Sequence, residues 1–342
     1  MQARITRVSP IWAVDGGTIL VEGEHLPHDP PPRVTIGEIE AHVSSASPRH
    51  LRVIVPPELE GGQVPLKVDA VPGGTVLVEI GMTLATGVHQ VDNPVFDRDG
   101  NLYATFSGSR DNRVPVTLFR VRRDGVREPI RVDIPNPTSL AIARDGALYV
   151  SSRFEGSVYR VDPATQTFRV FASKLGSPFG IAFDRAGHLW VGDRSGTIFR
   201  VDLDGGARAI AEIPASIAAF HLAIGPDENV YVSAPTLSPN DSVYRVSLDG
   251  RVDTVVDGLG RPQGLAFDSQ GRLYVVEAVA GQAGIWRYDV VDRSAAEAPP
   301  RAKAVQVLSA GALVGLAFDP AGGLVVAGAD TLWRLDVPIQ SV

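Results

Sequence analysis

One phrase recurs six times along this chain, and it fixes what the chain can fold into. An apolar segment leads into a tight turn. A Leu-aromatic or similar pair follows, and then a strand carrying an aromatic-Arg dipeptide. The turns read DRDGNLY (97–103), ARDGALY (143–149), DRAGHLW (184–190), GPDENVY (225–231), DSQGRLY (268–274) and DPAGGLV (319–325). The Arg strands that follow are TLFRV, SVYRV, TIFRV, SVYRV, GIWRY and TLWRL. The copies are anchored at Tyr103, Tyr149, Trp190, Tyr231, Tyr274 and Val325, spaced by 46, 41, 41, 43 and 51 residues. A period of about 40–50 residues filled with short strands suits a β-propeller blade, not a helical repeat.

Each copy supplies four strands, lettered A to D from the centre outward. A precedes the turn, B follows it, C carries the arginine, and D is a segment such as FRVFAS or AVQVLSA. The sixth copy ends after its C strand, at Asp336, so its outer strand must come from elsewhere or an edge is left open. Met82–Val88 belongs to no other copy and is expected to complete the last blade and close a six-bladed ring. The C-strand arginine occurs in all six copies, which assigns it to the scaffold.

Residues 1–81 lack the phrase. They read as short strands, ARITRVSP, GGTILVEGEHL, PRVTIGEIEAHVSS, HLRVIVPP, QVPLKVDA and TVLVEIG, with alternation at Gly17–Glu22 and Leu51–Val55. Ile5-x-x-x-x-Pro10, the Gly-Gly-Thr run at 16–23, Val34-x-Ile-Gly37 and Pro56-Pro57 come in an order that resembles the IPT/TIG family of immunoglobulin-like domains. That resemblance covers 1–81 and implies a packing or partner-binding module. Residues from 82 to about 336 resemble six-bladed NHL-repeat and gluconolactonase-like propellers. The expected architecture is all-β: an immunoglobulin-like sandwich (1–81) plus a six-bladed propeller (82–342) closed by strand 82–88.

Bulk properties narrow the function. The net charge is −7 and no basic run occurs, which argues against nucleic-acid or anionic-membrane partners. There are no cysteines, hence no disulfides, thiolate nucleophiles or Cys-bound metals. No 18-residue apolar run and no leader-like segment are seen, and the expected location is cytoplasmic.

A propeller's A-strand entrances and B-strand exits face one mouth of its central channel. Register places Asn93, Ser139, Gly180, His221, Gly264 and Gly315 at the entrances, preceded by Asp92, Thr138, Phe179, Phe220, Gln263 and Val314. The B exits are Phe106, Ser152, Asp193, Ala234, Glu277 and Gly328. Small residues dominate, so Asp193, His221, Gln263 and Glu277 stand out, in adjacent blades 3, 4 and 5. Two carboxylates, an imidazole and an amide could hold Ca2+ or Mg2+, or provide an acid/base pair with Glu277 and His221 as the catalytic groups. Asp193, Gln263, Ser152, Asn93, Arg153 and Arg194 are the expected ligand contacts, the two arginines suiting a carboxylate or phosphate. Loops around Asp111-Asn112 and Asn240-Asp241 are expected to overhang a mouth.

The gluconolactonase resemblance implies a metal held by an acid near the ring start, two entrance asparagines and a B-exit Asp. Asp193 or Glu277 matches the last, Gln263 stands where an Asn is expected, and the other entrance Asn is missing. Streptogramin lyases are similar in a different way: His221 and Glu277 match two of their three positions, with Gln263 in place of the catalytic His. The leading expectation is a propeller that binds a small molecule or protein partner at this mouth. The alternative is a divalent-metal-dependent lactonase or a lyase using the same cluster.

Overall fold

The structure is a computed structural model describing residues 2–107, 116–278, 283–290 and 304–335. Asp111 and Asn112 lie outside the described residues. Five separate four-stranded antiparallel sheets are present, and a sixth four-strand set is continued by the N-terminal domain into a longer sheet. From inside to outside, blade 1 is Val95–Phe96, Leu102–Thr105, Leu118–Val121 and Arg127–Ile130. Blades 2, 3 and 4 repeat the pattern, their inner strands being Pro137–Ile142, Pro178–Phe183 and His221–Ile224. Blade 5 is Pro262–Phe267, Leu273–Glu277, Gly284–Tyr288 and Val305–Ser309. Blade 6 is Gly315–Phe318, Leu324–Ala327 and Thr331–Leu335, completed by Met82–Thr86. The inner strands touch in ring order, and the sixth returns to the first.

Closure follows the expected route. Met82–Thr86 runs antiparallel to Thr331–Leu335, with Thr331 opposite Thr86 and Arg334 opposite Met82. The strand that begins the propeller in sequence thus lies outermost in its last blade, which ties the two ends of the ring together and covers an edge.

The repeated phrase has a local physical cause. In blade 1, Asp97 Oδ1 accepts the amides of Asp99 (3.0 Å) and Asn101 (2.8 Å), and Oδ2 accepts the Tyr103 hydroxyl at 3.2 Å. Asp268 does the same with the amides of Gln270 and Arg272 and with Tyr274 Oη (3.1 Å), and Asp184 accepts Trp190 Nε1 at 3.1 Å. The turn acid therefore holds the turn and satisfies the polar tip of a core aromatic ring. Burial and the nearby carboxylate push the Tyr103 and Tyr231 hydroxyls up to about 12. In blade 4 the acid moves two residues on, to Asp227, because Gly225 takes its place. A Cβ on Gly225 would lie 2.4 Å from the Tyr231 ring. The C-strand arginines cap the same arrangement: Arg160 pairs with Asp145 (2.8 Å), Arg334 with Asp319 (3.5 Å), and Arg245 with Asp227 (3.7 Å). They are scaffold, as their recurrence indicates.

In the N-terminal domain the strands follow one continuous ladder, ordered 4–9, 18–24, 50–54, 39–46, 34–36, 62–68, 75–80 and 12–13. Its two halves enclose a core of Ile19, Val21, Leu51, Val53, Val34, Ile36, Leu66 and Val78. Segment 32–45 divides into two strands, because Gly37 takes a φ of +59° and turns Ile36 back onto Ile39.

Sequence reading missed the short strand Trp12–Ala13, which joins the two parts of the molecule. It pairs in parallel with Ile80 and Glu79 on one side and with Leu308 and Ser309 of blade 5 on the other. Trp12 and Val14 are buried in one cluster with Tyr274, Ile285, Leu308 and Trp333 of the propeller. The backbones approach closely here: a Cβ on Gly17 would sit 2.5 Å from the Ser309 carbonyl oxygen. A shared ladder and a shared core couple the two parts far more tightly than a linker does.

Candidate functional site

Register within the sheets puts Asp92, Asn93, Ser152, Asp193, His221, Gln263 and Glu277 at the same end of the propeller. Pro137 lies opposite Ser152, Pro178 opposite Asp193, His221 opposite Ser233, and Pro262 opposite Glu277. The neighbourhood each side chain adopts differs from the single cluster expected from sequence.

His221 is fully buried, and its Nδ1 lies 2.6 Å from Asp92 Oδ1. His221 opens blade 4 and Asp92 precedes blade 1, so this bond crosses the channel axis between opposite blades. Asp92 Oδ1 also accepts the Asn93 amide at 2.7 Å. A carboxylate accepts only, so Nδ1 carries the shared proton and Nε2 is the ring nitrogen left for another partner. That Nε2 is buried with no partner among the described residues. Asp92 was visible in the register as the one acid among Thr, Phe, Gln and Val. Its pairing with a histidine three blades away depends on ring closure.

Asn93, expected as a ligand contact, works inside the ring. Its Nδ2 donates to Leu265 O (2.9 Å) and its Oδ1 accepts Leu316 N (3.0 Å), bridging the inner strands of blades 5 and 6. Gly264 and Gly315 provide the room, since a Cβ on Gly264 would stand 2.2 Å from Asn93 Oδ1.

Asp193 and Glu277 are engaged with neighbouring loops. Asp193 Oδ1 accepts Ser177 N at 2.7 Å and Oδ2 accepts the Ser195 hydroxyl. Glu277 Oε2 accepts Gly260 N (3.0 Å) and Oε1 accepts Tyr288 Oη (2.8 Å). Burial pushes the Glu277 carboxyl above its usual range, and those two hydrogen bonds oppose the shift. Ser152, also fully buried, donates to Pro135 O at 2.6 Å. Each of these three B-exit polar groups ties down the loop entering its own blade.

The expected metal set of Asp193, Glu277, His221 and Gln263 is therefore not assembled. Among the described residues, no three His, Asp or Glu side chains stand close enough to hold an ion. The donors do not fit the divalent cation that the gluconolactonase resemblance implies: His221 is turned to Asp92, and each acid is bound to a loop amide.

The two arginines share one rim. Ser177 Oγ donates to Arg153 O at 3.3 Å, and Arg194 N donates to Ser177 O at 3.1 Å. Arg153 is partly buried and lies over the rings of Phe154 (4.9 Å) and Phe179 (5.7 Å). Burial, and then the Arg194 cation, holds its guanidinium below its usual value. Asp241 accepts Thr236 N (3.0 Å) and Oγ1 (2.7 Å), leaving Oδ2 buried and unpartnered among the described residues.

The opposite mouth holds a cavity of about 690 Å3 among the A–B turns, walled by Tyr149, Phe171, Phe183, Phe267 and Leu203. Most of its charged rim is paired: Asp145 with Arg160, Arg185 with Glu228 (2.8 Å), and Asp268 with Arg272 (2.6 Å), while Arg144 forms no ion pair among the described residues. More of the buried polar groups without hydrogen-bond partners lie at the His221 mouth than at this cavity, where Glu228 Oε1 is one.

Comparison with known proteins agrees with this architecture. Residues 3–79 match the model of the IPT/TIG domain, and residues 89–236 match the SMP-30/Gluconolactonase/LRE-like region. A gluconolactonase of Zymomonas mobilis is 23% identical over 235 residues, covering 66% of this chain and 58% of its own length. The match thus spans little more than half of that relative. Among solved structures, a gluconolactonase from Xanthomonas campestris aligns with a TM-score of 0.60 at 16% identity, over 97% of each chain. An auxiliary nutrient binding protein from Bacteroides thetaiotaomicron gives 0.57 at 11% identity, over 98% of this chain and 97% of its own. Virginiamycin B lyase from Staphylococcus aureus gives 0.52 at 15% identity, over 74% of this chain and 95% of its own. These structural likenesses concern the fold.

Proposed function

We propose that this chain, an IPT/TIG domain followed by a propeller related to gluconolactonases and streptogramin B lyases, binds a small molecule at the His221 mouth of its channel. One observation carries the reading. Of the ten buried side-chain polar atoms lacking a hydrogen-bond partner among the described residues, five lie at this end: Gln90 Nε2, Ser107 Oγ, Asn136 Oδ1, His221 Nε2 and Asp241 Oδ2. Each such atom costs about 1–3 kcal/mol if left unsatisfied, so a polar ligand and its waters have a ready role there. A panel of sugars, sugar acids, lactones and amino acids screened by thermal shift tests the reading. At least one compound should stabilise the wild type and lose its effect on His221→Ala. A panel without effect on the wild type counts against it.

The Asp92–His221 pair supports a second reading, hydrolysis or elimination with His221 as general base. An orienting carboxylate behind Nδ1 leaves Nε2 to take a proton from water or substrate. Turnover of a lactone that survives chelation of divalent cations and is abolished in His221→Ala would put this reading first. Turnover that requires an added cation would contradict the assignment of the donors.

A further inference from the structure

Resting on the binding reading above and deepening it, we infer that Arg153 and Arg194 recognise a small oxyanion, the carboxylate or phosphate group of the ligand. Arg4, Arg33, Arg120, Arg160, Arg245 and Arg272 each pair with a carboxylate. Arg153 and Arg194 form no ion pair with any described residue; exposed arginines such as Arg49 and Arg144 also lack one, but they stand in water. Arg153 is nonetheless partly desolvated, stacked on two rings, and placed near a second cation. Burying a cation next to a like charge is unfavourable unless a counter-ion enters the same space.

The surroundings hold both groups in place. Phe154 and Phe179 fix the plane of the Arg153 guanidinium, and stacking of this kind favours Arg over Lys. Arg194 is anchored through Nε to Ser216 O (3.3 Å) and through Nη2 to Ile217 O (3.0 Å). These carbonyls belong to the loop that enters blade 4 just before His221. The neighbouring acid in sequence, Asp193, is 6% exposed and committed to Ser177 N and Ser195 Oγ. Two oriented cations at the rim and an unpartnered imidazole nitrogen deeper in the mouth suit a ligand with an anionic head and a polar body. Planar guanidinium forks match the oxygens of carboxylate and phosphate alike.

The test uses calorimetric titration of the full chain with inorganic phosphate, benzoate and the neutral analogue benzamide, at constant ionic strength set with chloride. Phosphate or benzoate should bind and benzamide should not; which of the two binds identifies the head group. Arg153→Met keeps an apolar stem against Phe154 and Phe179 but removes the charge, and should weaken anion binding about tenfold or more. Arg153→Lys should restore only part of it. The proposal is overturned if neither anion binds, or if Arg153→Met binds as the wild type does while its melting temperature shows it folded. It is overturned separately from the binding reading if a neutral compound binds in a His221-dependent way, indifferent to Arg153. As a second check, Arg153→Met without anion should melt no lower than the wild type, because it removes an unpaired charge. A large drop would mark Arg153 as a structural group and sink the inference.

Discussion

Nδ1 of His221 and Oδ1 of Asp92 meet at 2.6 Å across the propeller axis, joining blade 4 to the blade opposite it. Neighbouring blades are held by packing and by side-chain hydrogen bonds such as Ser151 Oγ to Phe179 O, but this contact ties together positions 129 residues apart through the centre of the ring. Both side chains are buried, so the bond forms where water competes weakly.

Removing one partner should expose that dependence. Asp92→Ala leaves the His221 imidazole buried without its acceptor and is expected to cost about 1–3 kcal/mol of unfolding free energy. Asp92→Asn keeps an acceptor oxygen and should cost less. Equilibrium urea denaturation of both variants measures the difference, and equal stability of wild type and Asp92→Ala would refute the assigned role.

Closure of the inner ring rests on a side chain and two glycines. Gly264→Ala would drive its Cβ to 2.2 Å from Asn93 Oδ1 and 2.6 Å from Gly315 Cα. Overpacking of this kind is expected to cost about 1–3 kcal/mol. Combining it with Asn93→Ala should recover part of the loss, since the first clash is then relieved. A double-mutant cycle reads the coupling directly.

The two parts of the molecule should unfold together. Trp12 is 2% exposed and its cluster contains residues of blades 5 and 6, so Trp12→Ala is expected to destabilise the whole chain by about 3–5 kcal/mol. A single calorimetric transition in wild type is the accompanying expectation. Two separate transitions would show that the shared ladder at Trp12–Ala13 does not couple them.

Glu277 supplies a pH dependence. Burial raises its carboxyl above the ordinary 4.5, so between that value and the folded one the native state holds more protons than the unfolded chain. Stability contributed by this group is present below 4.5 and falls as pH rises through the folded value. The melting temperature of wild type minus that of Glu277→Gln should therefore decline on moving upward from pH 4.5. A difference that stays flat or climbs over that range would contradict the shift.

Much of the architecture was legible in the chain. Asp97, Asp184 and Asp268 announce their turns because a carboxylate at that spacing accepts turn amides and reaches the polar tip of the aromatic that follows. These are local interactions, complete within seven residues, and so they survive as a repeated phrase. The missing outer strand of the last copy identified 82–88 as its replacement by the same logic of edges. The strand Trp12–Ala13 left no such trace, since two residues carry no periodicity and its partners are almost three hundred residues away.

The candidate site divides along the same line. The sequence by itself determined which residues face one mouth, because alternation and blade register are properties of single strands. It could not tell which of those side chains meet. Asp193 and Glu277 look like paired ligands in the register, yet each binds the amide of a loop at its own blade edge. His221 finds Asp92, and Arg153 comes near Arg194, only once six strands close around an axis and bring distant loops together. Closure sets the distances across the channel, and those distances decide whether a polar residue at the mouth holds the scaffold or is left to hold a ligand.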